Sequence, residues 1–98
     1  MAVKKTRTVI VTTQYRDLYY GEVAATDAEI VKTKAVSVAK CRHIAYWTGP
    51  KGGLTGLAAE GPSAQSRIGA ECEALITGVA HILVVSPEAR LRFAAIKP

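Results

Sequence analysis

Residues 8–13, TVIVTT, are β-branched at every position and predict a strand, because branched side chains suit a pleated, half-buried surface. A polar turn, QYRD, leads into residues 18–25, LYYGEVAA, the second strand of a hairpin. Gly21 inside it marks a bulge or a close approach of another backbone. TDAE at 26–29 reads as the next turn, to which Asp27 is well suited. Residues 29–39, EIVKTKAVSVA, predict a third strand whose alternation slips. Ile30, Lys32, Lys34, Val36 and Val38 share one parity, yet two are charged, and a bulge or bend near Ala35 would reconcile them. KCRHIAYW, residues 40–47, continues that strand or makes a short helical turn. Residues 46–69 then hold six of the eight glycines, and a short strand at 54–59 fits within them.

The last third of the chain is more sharply patterned. Residues 74–85, ALITGVAHILVV, are apolar on both parities and predict a central strand buried on both faces. Ser86 suits an N-cap, Pro87 the first helical position and Glu88 the positive helix end, so a helix is expected over residues 87–96. Leu91, Ala94 and Ala95 would form its apolar stripe. Together these elements predict a β-rich α+β domain over residues 1–98. It would be a small antiparallel barrel or rolled sheet of five or six strands, with one C-terminal helix. Residues 1–6 read as a basic arm.

A chain of 98 residues buries a modest fraction of its surface, so self-association into a homo-oligomer is expected to help it. Thirteen Lys and Arg against eight Asp and Glu give a net charge of +5, which favours anionic partners. Nucleic acid and small nucleotide-like ligands are both candidates, and a merely basic soluble surface is the plainer alternative. No run approaches a membrane span and the N-terminus lacks an apolar signal core, so no membrane partner is expected. The two cysteines, Cys41 and Cys72, are too few for a disulfide framework and read as free thiols.

The glycine-rich stretch fails two phosphate-binding patterns. Lys51 precedes Gly52 and Gly53 rather than following a glycine as a Walker A lysine does. The glycine spacing is not that of a dinucleotide fingerprint either. Backbone N–H groups there could still surround an anion. Arg67, Ser66, Lys51 and Gly53 are the candidate contacts, with Trp47 and Tyr46 stacking and Arg42 adding charge. The alternative is a loop whose glycines serve turns, with the aromatics in the core or at an interface. Cys41, His43, Cys72 and His81 form a formal Cys2His2 set without a standard zinc spacing, so no metal is expected. Neither a nucleophile elbow nor a specific thiol–imidazole spacing is present, and the chain reads as a non-enzyme without a cofactor. Lys4, Lys5 and Arg7 could track phosphates, and Lys32 with Lys34 could equally protect a sheet edge.

VIVTTQYRDLYYGEV, CRHIAYW, GLAAEGPSAQSRIG and ITGVAHILVVSPEA, taken together, resemble an uncharacterised family of small phage and prophage proteins, a domain of unknown function. The likeness spans roughly residues 8–95, and its more specific parts are Tyr46-Trp47, Leu57-Ala58, Gly61-Pro62, residues 66–69 and Pro87-Glu88-Ala89. Lys32 and Lys34 interrupt an alternation that family members usually keep, and Phe93 stands where they carry a tryptophan. The resemblance implies a compact phage accessory or virion protein in the host cytoplasm or the virion, and no catalytic role. A vaguer architectural likeness to Sm-like barrels rests on the YYGEV hairpin and the late apolar strand. The resulting expectation is an oligomeric protein that sequesters an anionic ligand, plausibly a nucleotide immune signal. A virion assembly component and a nucleic-acid-binding regulator are the alternatives.

Overall fold

Val9, Ile10 and Val11 are all fully buried, and alternate side chains of a strand point to opposite faces. Strand β1 (Arg7–Thr13) therefore has apolar cover on both sides. The computed structural model describes residues 6–47 and 53–98. After β1 come β2 (Leu18–Val23), helix α1 (Asp27–Thr33), β3 (Ala35–Tyr46) and helix α2 (Gly53–Glu60). The chain then forms β4 (Arg67–Ile68), β5 (Cys72–Thr77), β6 (Val79–Val84) and helix α3 (Pro87–Ala95).

All strand pairs are antiparallel. The order is β4-β3-β2-β1-β6, and β5 also pairs with β3. β4 and β5 follow one another along the same edge of β3, with Tyr46 opposite Arg67, Cys41 opposite Cys72 and Ala35 opposite Thr77. Only Gly78 separates β5 on one edge of the sheet from β6 on the other. In a flat sheet those edges would lie four strand spacings, about 19 Å, apart. Thr77 and Val79 can be at most about 7 Å apart along the chain. The sheet must therefore curl until its edges meet at this corner, where the Val79 N–H donates to Lys34 O at 3.0 Å and the Gln14 N–H to Gly78 O at 2.9 Å.

β5 and β6 do not pair with each other, so the curl stays open. This corrects the barrel alternative, and the Sm-like likeness with it; the rolled sheet of six strands stands. One buried cluster fills the inside of the curl, where Val9, Val11, Val23, Val38 and Ile76 meet Ile30 of α1. The second lies on the opposite face, where α2 and α3 cover Ile10, Ile44 and Ile68 with Leu57, Ala89 and Phe93.

Three expected elements change. The slipping alternation at residues 29–34 is the end of a helix, not a bulged strand. TDAE is a capping box: the Glu29 N–H donates to Thr26 Oγ1 at 3.2 Å, and the Thr26 N–H donates to Glu29 Oε1 at 3.4 Å. Lys34 closes α1 in the left-handed region, at φ 55°. The apolar run at 74–85 is two edge strands, not one central strand, because Gly78 at φ +66° turns the chain between them. The proposed strand at 54–59 is helix α2, which buries Leu57 and Ala58 against the sheet.

α3 begins as expected, with the Ala89 N–H donating to the Ser86 hydroxyl at 3.1 Å. Its buried face is Ala89 and Phe93, four residues apart, whereas Leu91 is 75% exposed. No described helix is long and apolar enough to cross a membrane.

Candidate functional site

The site begins with a fault in β3. Val36 and Val38 point into the inner cluster, and strict alternation would send Lys40 and Arg42 the same way. Lys40 instead takes φ 51°, and the β2–β3 register shifts between Tyr20 and Glu22. This bulge turns the parity over. Cys41 now faces the inner cluster, while Ile44 joins the cluster under α2 and α3. Arg42, 6% exposed, goes with it. Gly21 makes the fault possible, because a Cβ there would stand 2.4 Å from Val38 Cγ1 and 2.9 Å from Ala39 O.

Arg42 fills its donors with backbone. Its Nε donates to Gly69 O at 2.8 Å and its Nη1 to Phe93 O at 2.8 Å, while Nη2 reaches Ile68 O and Ile96 O. The guanidinium thus ties the β4 segment to carbonyls at the C-terminal end of α3, where positive charge is favoured; Phe93 O accepts from the Ile96 N–H as well.

Above this tie lies a cleft of about 500 Å³. Pro87, Arg90, Leu91 and Ala94 form one wall, the helical spacing of a single face of α3. Tyr20, Gly21 and the Lys40 bulge form the other, with Glu22 and Glu71 at the margins. The expected apolar stripe of α3 therefore belongs largely to this wall rather than to the core. Tyr20 lies stacked on Phe93, with ring centroids 4.0 Å apart and planes 15° from parallel. Burial pushes its phenol above the usual tyrosine range, against the opposing pull of Arg90 and Arg42, with Glu22 and Glu71 adding to the rise. The hydroxyl is therefore a neutral donor and acceptor at physiological pH. The Lys40 ammonium sits 3.7 Å from a Glu22 carboxylate oxygen. Among the described residues neither Arg90 nor Glu71 has an ion-pair partner.

A model of the domain of unknown function DUF6948 matches residues 6–93 of the chain. The chain belongs to that family. No curated protein and no solved structure gives a match. The family resemblance drawn from the sequence thus holds for the DUF6948 domain as an uncharacterised one, and the match says nothing of source.

In this DUF6948 chain the sequence-predicted contacts do not line one cavity. Tyr46, 53% exposed, and Arg67 are cross-strand partners at one end of the sheet, so those two are brought together. Trp47 is half-buried against the cluster under α2 and α3. Gly53 is exposed and opens α2 at φ +63°. Ser66 is buried and borders a separate depression with Arg92 and Lys97. Lys51 lies outside the described residues. Arg42 lines the cleft but is bound to backbone, which makes it a tie between elements rather than a free cation.

Sequence reasoning missed Tyr20, Lys40, Glu71 and Arg90. The usable signal was Gly21, whose expected close approach marks the spot. Of the formal metal set, Cys41 and Cys72 are cross-strand partners. His43 packs on Tyr19 with centroids 5.3 Å apart, and His81 Nδ1 lies 3.2 Å from Thr12 Oγ1. No group of three or more possible ligands gathers among the described residues.

Proposed function

We propose that the cleft between α3 and the β3 bulge binds a small organic anion that also carries hydroxyl or amino donors. The observation that carries this reading is that one cleft is lined by a guanidinium on α3 and a carboxylate, neither ion-paired among the described residues, together with a neutral phenol. Arg90 offers a planar fork to a carboxylate or phosphate. Glu71 accepts from a donor elsewhere on the ligand, and the Tyr20 hydroxyl serves either partner. Leu91 and Ala94 supply the apolar wall usual in small-molecule sites, whose volumes run from about 300 to 1,000 Å³.

We read the site as one of binding rather than turnover. The phenol is held neutral, so it does not give up its proton readily near neutral pH. The original expectation of an anionic ligand keeps its charge, but the contacts move from the glycine-rich stretch to α3 and β2.

Isothermal titration against sugar phosphates, nucleotides, dicarboxylates and amino acids tests this. At least one class should bind, and Arg90→Ala should weaken it by about 10- to 100-fold, the worth of a charge-assisted hydrogen bond. Arg90 is exposed, so the melting temperature of the unliganded variant should not move. An Arg90→Ala protein that binds as tightly as the parent would remove the reading.

A further inference from the structure

The only two cysteines of the chain, 31 positions apart in sequence, stand opposite each other on adjacent antiparallel strands. Antiparallel partners have Cα atoms about 4.5–5.5 Å apart, inside the window of about 4.4–6.8 Å that a disulfide requires. As register partners, the two residues direct their side chains to the same side of the sheet. They differ sharply in access: Cys72 is exposed, whereas Cys41 is 2% exposed and belongs to the inner cluster. Burial, and then the neighbouring Cys72, pushes the Cys41 thiol up to about 11. The pair sits at the β3 bulge, with Lys40 in the left-handed region on one side and Gly21 3.2 Å (as a Cβ position) from the Cys41 Cα on another.

We infer that Cys41 and Cys72 form an oxidisable dithiol, a modification site that small disulfides convert to an intrachain cross-strand disulfide. This goes beyond the ligand reading and does not depend on it. The exposed Cys72 thiolate attacks one sulfur of a small disulfide RSSR and expels RS⁻, leaving a mixed disulfide. The Cys41 sulfur, on the paired strand opposite, then attacks Cys72 Sγ and expels the second RS⁻. Two protein S–H bonds and one S–S bond are lost. One protein S–S bond and two RSH molecules are formed, so the protein is oxidised by two electrons and RSSR is reduced. The proton of Cys41 leaves with the departing thiolate, which lowers the barrier set by its raised affinity for that proton.

Glu71 and Glu73 flank Cys72, so a cationic disulfide is the better probe. Native protein treated with cystamine and examined by intact mass under non-reducing conditions should lose the mass of two hydrogens while staying a single chain. It should then resist alkylation and regain both thiols with dithiothreitol. The melting temperature should rise on oxidation by on the order of 10 °C, as expected when a loop of this length is closed. Cys72→Ser, a change at an exposed position, should fold normally and show no such mass loss. A persistent cysteamine adduct on Cys72, a disulfide-linked dimer, or an unchanged mass would each overturn the inference.

Discussion

Replacing Arg42 by alanine should be among the most damaging single changes in this protein. The guanidinium is 6% exposed and donates to four carbonyls from two elements, at Ile68, Gly69, Phe93 and Ile96. The bonds to Phe93 and Ile68 lie in buried surroundings, whereas those to Gly69 and Ile96 are partly open to water. Water can replace the second pair. The first pair would each lose a charged donor where water does not readily replace it, although Phe93 O keeps the Ile96 N–H, at about 1–3 kcal/mol each. The total, about 2–6 kcal/mol, brackets the roughly 3–5 kcal/mol seen when buried charge networks are broken. A domain of this size holds only about 5–15 kcal/mol in all. A loss of about 4 kcal/mol should lower the melting temperature by roughly 16–32 °C. Urea titration read by Trp47 fluorescence and far-ultraviolet dichroism measures it, and hydrogen exchange should show the Ile96 amide, now bonded to Phe93 O, losing protection. Arg42→Lys should recover less than half, because an ammonium keeps the charge but not the planar fork. A loss below about 1 kcal/mol for Arg42→Ala would refute the reasoning and return Arg42 to the pool of ligand contacts.

Gly21→Ala places a Cβ 2.4 Å from Val38 Cγ1 and 2.9 Å from a backbone oxygen, and should cost about 1–3 kcal/mol by urea titration as β2 is pushed off the bulge. Thr26→Ala removes one half of the capping box and should cost about 1 kcal/mol, with faster exchange at the Ile30 and Lys34 amides of α1. The folded protein holds the Cys41 thiol proton up to about pH 11, whereas the unfolded thiol ionises near 9.0. Stability should therefore be level below about pH 9 and fall as pH rises through about 11, and Cys41→Ala should flatten the urea midpoint across that window. Tyr20, also raised, should extend the decline above its ordinary 10.0.

The strands read at 8–13 and 18–25, the second ending at Val23 in the fold, and the capped helix at 87 were legible because each rests on local signals: β-branching, a turn, a serine followed by proline. α1 carried an equally local signal, the Thr26–Glu29 box, but Asp27 within it also suits a turn, and the valines beyond it continue into a real strand. Residues 74–85 misled for a different reason. Apolar side chains of both parities indicate two buried faces, yet Leu75 and Val84 are 67% and 62% exposed, because each lies on an edge strand where neither cluster covers it. Edge position is a property of topology, which no window of residues contains. The cleft was illegible on the same ground: Tyr20, Lys40 and Arg90 meet only after the bulge has reversed the parity of β3 and Arg42 has drawn α3 over it.

The corner at Gly78 also bears on how the chain must fold. β1 is the fourth lane of the sheet counted from β4, yet one of its two neighbours, β6, begins only at Val79. Val9 therefore waits for Val84, and during synthesis the Val9-Ile10-Val11 segment stays without its second partner until nearly every other element exists. Such non-local closure makes for folding in milliseconds to seconds rather than microseconds. A short apolar β-prone run exposed for that long invites pairing with other nascent chains. Lys4, Lys5 and Arg7 stand immediately before it in sequence, where like charge keeps such runs apart. On this view the basic residues that precede β1 in sequence protect the most buried of the described strands before that strand is buried.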